Sequence, residues 1–153
     1  MTDEITVIMF GIGAVGSRIA RLALDKKGLD IVGAVDIALD KVGKDLGAIL
    51  ELGKKLGVTV TGDIDELFSR VKADIVIHST SSYLKDVYPQ IAKCVKAGMN
   101  VVSTCEELSY PYYKYPQLSH EIDELARKNE VTVLGTGINP GYLMDTLPIT
   151  LTG

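Results

Sequence analysis

Gly11-Ile12-Gly13-Ala14-Val15-Gly16 is a complete GxGxxG within a chain of 153 residues. Glycines at this spacing suit a diphosphate. The first allows a tight turn, the second lets the backbone approach an anion, and the third lets a helix close on a strand. A helix starting at this point directs its unpaired N–H groups toward the ligand, and Ile12, Ala14 and Val15 supply further backbone around it. Asp36 follows Gly16 by about twenty residues, the distance at which a carboxylate takes the ribose hydroxyls of a dinucleotide. Such a carboxylate repels a 2′-phosphate, which favours NAD. Lys41 and Lys44 stand close in sequence and offset that repulsion, so NADP stays open. The plainer reading of Asp36 is a loop or helix-capping residue.

Three later segments carry polar groups at the ends of expected strands. In His78-Ser79-Thr80-Ser81-Ser82, the small hydroxyls of Thr80, Ser81 and Ser82 either line the cofactor or cap the next helix. In Ser103-Thr104-Cys105-Glu106-Glu107, Thr104 borders the cofactor and Glu106 and Glu107 are the catalytic candidates. A carboxylate beside a nicotinamide holds an ammonium or takes a proton from an amine, and burial raises its pKa toward the working range. The competing reading is a solvated acidic pair at a helix start. In Gly135-Thr136-Gly137-Ile138-Asn139-Pro140-Gly141, Asn139 and Pro140 are cofactor-binding candidates, Asn139 bonding either the nicotinamide amide or the substrate, with a plain loop as the alternative. Tyr110-Pro111-Tyr112-Tyr113-Lys114-Tyr115-Pro116 reads as a lid or as an interface patch.

The elements that must position these groups alternate. Strands are expected over 5–10, 30–35, 74–78, 100–103 and 131–134, with an extended piece at 58–60. Helices are expected over 14–27, 44–56, 64–71, 84–97 and 118–129, the fourth interrupted early by Pro89 and the third capped by Asp63. Strands separated by helices imply βαβ units. The fold class is therefore α/β: a doubly wound, mostly parallel Rossmann sheet in a single domain over 1–153. Ligands of such sheets bind at the carboxyl ends of the strands, where every segment above lies.

Composition narrows the partners. The net charge of −4 disfavours nucleic acid. The longest apolar runs are too short for a membrane span, and no signal peptide precedes the first strand. Cys94 and Cys105 show no metal-type spacing and no CxxC pair. They read as reduced thiols of a cytoplasmic protein without a metal site. Cys105 has no histidine base nearby in sequence, so a nucleophilic role is not expected.

GIGAVG, VGAVD, HSTSS, STCEEL and GTGINPGYLMD, in this order, resemble 2,4-diaminopentanoate dehydrogenase and the native amine dehydrogenases, whose fold is akin to that of dihydrodipicolinate reductase. The resemblance runs through essentially the whole chain. It implies NAD(P)-dependent, reversible oxidative deamination of a primary amine, such as 2,4-diaminopentanoate, to a ketone and ammonia. Glu106 takes the position of the acidic residue that binds the amine, with Glu107 a close second. Family members carry a second domain that shapes the substrate pocket and the dimer contact, and this chain stops at Gly153, where that domain is expected to begin. Cofactor binding with little turnover is thus expected of the chain alone, and a homo-oligomer of the full-length protein. Two other readings remain: a dihydrodipicolinate reductase-like or homoserine dehydrogenase-like oxidoreductase, and a non-catalytic NAD(H)-sensing module.

Overall fold

The computed structural model describes residues 4–153. They form two compact units, one ending at Ser79 and the other beginning at Thr80.

In the first unit, the apolar run ITVIMF forms β1 (Ile5–Phe10). Val7, Ile8 and Met9 are fully buried, so β1 is covered on both faces. It pairs in parallel with β2 (Leu29–Val35) on one side and β4 (Ile75–His78) on the other. β3 (Val60–Thr61) adds to β2, also in parallel. Helix α1 (Ala14–Leu24) joins β1 to β2 and buries Gly16, Ala20 and Ala23. These small residues let a helix lie close to a sheet. Helix α3 (Ile64–Arg70) begins at Asp63, whose Oδ1 accepts the N–H groups of Asp65 and Glu66, as the sequence leads one to expect.

The helix expected over 44–56 shrinks to one turn, α2 (Leu46–Ile49). Asp45 is the cause. Its carboxylate accepts the N–H groups of Gly47, Leu56 and Gly57, folding the segment back on itself. Glu51 takes a left-handed backbone, with φ 54°, which ends the helical path. The apolar residues seen as a helical stripe instead anchor a loop, with Leu46 and Leu50 in the core.

The second unit contains α4 (Leu84–Lys96), β5 (Asn100–Ser103), α5 (Pro116–Lys128) and β6 (Val133–Gly135). β5 and β6 pair in parallel. Pro89 does not interrupt α4, contrary to expectation. It lies on the exposed face, while Leu84, Val87, Ile91 and Val95 form a buried stripe that holds the helix on both sides of it. α5 starts earlier than expected because Pro116 occupies its first turn, where a missing N–H costs little. Residues Ile138–Thr146 form wide helical turns, broken by non-helical backbone at Asn139, Pro140 and Gly141, and lead into α6 (Leu147–Thr152). The Asn139–Pro140 bond is cis. No helix among the described residues is long and apolar enough to cross a membrane.

Candidate functional site

The first unit gathers the whole glycine motif and Asp36. β1 ends at Phe10, and Gly11 turns the chain with φ 92°, a value that side-chain-bearing residues rarely adopt. A Cβ on Gly16 would stand 1.9 Å from the Gly11 carbonyl oxygen, so the helix can approach the turn only without a side chain there. The Ser79 hydroxyl donates to that same oxygen at 3.0 Å, fastening the turn from the end of β4. His78, also at that end, is buried, and its ring meets Phe10 edge-on with centroids 5.1 Å apart.

Gly13 differs in kind. A Cβ at this position would meet nothing within 4 Å. Gly13 caps α1 without a side-chain hydrogen bond, and no acidic residue occupies the first turn. The first turn of the helix thus carries backbone N–H groups and a positive end with no carboxylate of its own to compete for them, and the side-chain direction at Gly13 is open space. The residues present fit a diphosphate here. The room over Gly13 is space that the protein itself does not use.

Asp36 stands at the end of β2 and binds the motif directly. Its Oδ2 accepts the Ile12 N–H at 2.7 Å, and its Oδ1 accepts the Ala38 N–H at 2.9 Å. Lys41 Nζ donates to Asp36 Oδ2 at 3.0 Å and to the Ile12 carbonyl at 2.8 Å. Burial pushes the Asp36 carboxyl up. The N–H groups of Ala38 and Ile12 and the Lys41 ammonium outweigh it and hold the carboxyl below its ordinary value. Beside the motif lies a cleft of about 500 Å³, whose lining includes Gly13, Ala14, Ser17, Asp40, Lys41 and Lys44.

The second unit gathers the acidic pair. Glu106 and Glu107 open a 3₁₀ turn, Glu106–Leu108, directly after Thr104 and Cys105. Their environments diverge. Glu107 Oε2 accepts the Leu84 N–H at 2.8 Å, at the start of α4, and Oε1 accepts Lys114 Nζ. The bond from Lys114, then that from Leu84, holds the Glu107 carboxyl below the usual range, against the opposing effect of burial. Lys114 also lies 5.2 Å from the Tyr115 ring centroid, which ties the tyrosine-rich loop to the same carboxylate. The Glu106 carboxylate is half-buried and accepts no hydrogen bond from the described residues. Cys105 is fully buried, and its thiol donates to the Ser82 carbonyl at 3.2 Å. Burial, reinforced by the charges of Glu106 and Glu107, pushes that thiol up.

The hydroxyls of the serine-rich turn serve α4. Thr80 Oγ1 bonds Gln90, and Ser81 Oγ bonds Asp86 and accepts the Tyr83 N–H. Ser82 contributes its carbonyl, which accepts the Glu107 N–H and the Cys105 thiol. The Thr136 N–H bonds the Ser103 carbonyl, so the final loop leaves the same strand ends as Thr104. Asn139 and Pro140 lie further along that loop, the first exposed and the second buried. Neither shares a hydrogen bond with the acidic pair. The sequence reading missed Ser79 and Lys114 as structural partners. A serine inside HSTSS and a lysine inside a tyrosine run carry no spacing that would single them out.

Comparison with known proteins agrees with this architecture. The chain is 38% identical to 2,4-diaminopentanoate dehydrogenase of Acetoanaerobium sticklandii, a match over 99% of this chain and 43% of the relative. It is 27% identical to an amine dehydrogenase of Streptomyces virginiae, over 97% of this chain and 42% of that protein. The solved structure of an amine dehydrogenase from Mycobacterium smegmatis superposes with a TM-score of 0.90 at 37% identity, covering 96% of this chain and 43% of that one. The chain thus shares their Rossmann-like α/β fold and spans less than half the length of these relatives. Residues 5–109 match the family model described as dihydrodipicolinate reductase, N-terminus, and the chain belongs to that family.

Proposed function

We propose that this chain is the cofactor-binding part of an NAD(P)-dependent oxidoreductase that converts a primary amine, with 2,4-diaminopentanoate as first candidate, to a ketone and ammonia. The observation that carries the dinucleotide half of this reading is the open, uncapped start of α1 over Gly13. A bound nicotinamide supplies the hydride acceptor. The chain supplies the diphosphate cradle at Gly11–Gly16 and, at the end of β5, a carboxylate for the amine.

Glu106 is the residue assigned to that carboxylate. It is half-buried with its oxygens unclaimed, whereas both oxygens of Glu107 are held by Leu84 and Lys114. A carboxylate so placed binds a substrate ammonium and takes up its proton, leaving the amine lone pair free to assist loss of hydride from carbon. The names of the relatives support the amine as substrate class. Thr104, Asn139 and Pro140, on strand-end loops of the second unit, remain assigned to the cofactor. Leu143, Met144, Ile149 and Leu151 are exposed, which supports a further protein surface packing there and a homo-oligomeric assembly.

The test has two arms. NADH fluorescence titrated against the chain should saturate below about millimolar coenzyme; an unchanged signal overturns the cofactor reading. A protein carrying this chain at the length of its relatives should reduce NAD(P) with 2,4-diaminopentanoate or a simpler primary amine. Binding of coenzyme without any amine-dependent reduction overturns the enzymatic half alone.

A further inference from the structure

Helix α4 starts without a cap of its own. Tyr83, the residue before it, makes no side-chain bond to the helix, and an uncapped start leaves backbone N–H groups without partners. Glu107 supplies an acceptor from another turn: its Oε2 takes the Leu84 N–H at 2.8 Å. The Glu107 N–H in turn bonds the Ser82 carbonyl at 3.3 Å, so the 3₁₀ turn and the start of α4 are tied in both directions. The other oxygen, Oε1, holds Lys114, and the Tyr115 hydroxyl donates to the same carboxylate. Lys114 is itself well anchored. The Tyr115 N–H closes a turn onto the Pro111 carbonyl at 2.8 Å, and α5 starts at the next residue. Glu107 thus joins the starts of α4 and α5. Its side chain is 15% exposed, whereas that of Lys114 is 64% exposed, so Lys114 can be replaced without opening the interior.

We infer that Lys114 is a positioning residue for the amine site: by gripping Glu107 it fixes the 3₁₀ turn and so aims the neighbouring Glu106 carboxylate at the substrate nitrogen. Glu106 opens that turn, and no described residue bonds its carboxylate, so hydrogen bonds place it only through its backbone. The Glu106 carbonyl accepts the Ser109 N–H and hydroxyl, bonds that stay within the turn and its flank. The bonds that reach α4 and the tyrosine-rich loop come from the Glu107 carboxylate. A base must meet its proton at hydrogen-bond distance, and misplacement by about 1 Å costs turnover heavily. A turn held at one carboxylate by an ammonium and a helix N–H is a support that prevents such a shift. This inference rests on the amine reading above, and its test separates the two.

A protein carrying this chain at the length of its relatives is assayed for reduction of NAD(P) by 2,4-diaminopentanoate and by a primary amine that has no carboxylate. Lys114→Met should lower kcat by about fivefold with both substrates, while NADH affinity changes by less than about twofold. Lys114→Arg keeps a cation for Glu107 and should restore most of the loss. Because Lys114 acts through Glu107, combining Lys114→Met with Glu107→Gln should cost no more than about tenfold, less than the product of the two single losses. Amide hydrogen exchange in the chain alone gives a readout independent of turnover. The Leu84 and Glu107 N–H groups should exchange at least about threefold faster in Lys114→Met, with those of β1 unchanged. Unchanged kcat in Lys114→Met, multiplicative losses in the double variant, or unchanged exchange at Leu84 would each overturn the inference. A loss confined to 2,4-diaminopentanoate would overturn it too, since Lys114 would then bind the substrate carboxylate instead. Coenzyme binding without amine-dependent reduction by the unmodified protein removes the amine reading, and with it this role of Lys114.

Discussion

Glu107 Oε2 accepts the backbone N–H of Leu84 at 2.8 Å, so the turn after β5 is tied to the first residue of α4. The same carboxylate also holds Lys114. The two adjacent glutamates therefore differ in their partners: Glu107 fixes the local backbone, and no described residue bonds the Glu106 carboxylate. In a protein of the relatives' length, Glu106→Gln should lower amine turnover by about a hundredfold, the usual size of a general-base effect. Glu107→Gln should cost less than about tenfold but lower the melting temperature. Steady-state kinetics and thermal unfolding of both variants check this, and the reverse pattern would exchange the two roles.

Gly13 and Gly16 allow a second comparison. A Cβ at Gly16 strikes the Gly11 carbonyl, whereas one at Gly13 meets nothing within 4 Å. Gly16→Ala should lower the melting temperature and abolish NADH binding together. Gly13→Ala should melt like the unmodified chain while NADH affinity falls by about tenfold or more, because its methyl occupies the diphosphate's space. Thermal unfolding beside fluorescence titration distinguishes them.

The Asp36 carboxyl is depressed in the folded chain, where burial is outweighed by the N–H groups of Ala38 and Ile12 and by Lys41. Unfolded, it returns to about 3.9. Its contribution to stability is therefore complete above that value and is lost as pH falls through the lower, folded one. Urea midpoints should fall from about pH 5 to about pH 3, and the fall should be shallower in Asp36→Asn. Parallel pH profiles for the two proteins would show that Asp36 contributes nothing to the acid limb.

Thiol chemistry should be silent in the native state. Cys94 is fully buried and burial pushes its thiol up to about 12, while Cys105 is buried and raised as well. Since the thiolate is the reactive form, an alkylating reagent near neutral pH should label neither residue until denaturant is added. Mass spectrometry before and after unfolding reads this directly.

The Asp63 cap gives a local stability test. Its Oδ1 takes two N–H groups at the start of α3. Asp63→Ala should cost about 1 kcal/mol, measured by urea denaturation, with NADH affinity unchanged.

What could be read from the sequence follows from where periodicity and turn chemistry agree. β1, α1, β2 and α3 appeared within a few residues of their positions because an apolar strand run, a glycine turn and an Asp cap are local signals. The segment 44–56 misled because Leu46, Ile49 and Leu50 repeat at helical spacing, while the ties from Asp45 to Leu56 and Gly57 are long-range in sequence. At the candidate site, Gly11, Gly13, Gly16 and the acidic pair were readable from motif and order. The separation of Glu106 from Glu107 was not, because it depends on Leu84 and Lys114, which only folding brings to Glu107. The grip of Lys41 on Asp36 was half visible: the lysine was close in sequence, but its second bond, to the Ile12 carbonyl, crosses from the end of β2 to the glycine turn.

The contrast between Gly13 and Gly16 reaches beyond single variants. In a library of this chain selected only for folded, protease-resistant protein, position 16 would stay glycine and position 13 would drift to other small residues. A second selection, for retention on an immobilised coenzyme, would restore glycine at 13 alone. The difference between the two residue distributions would map the ligand's footprint on the backbone without any bound structure.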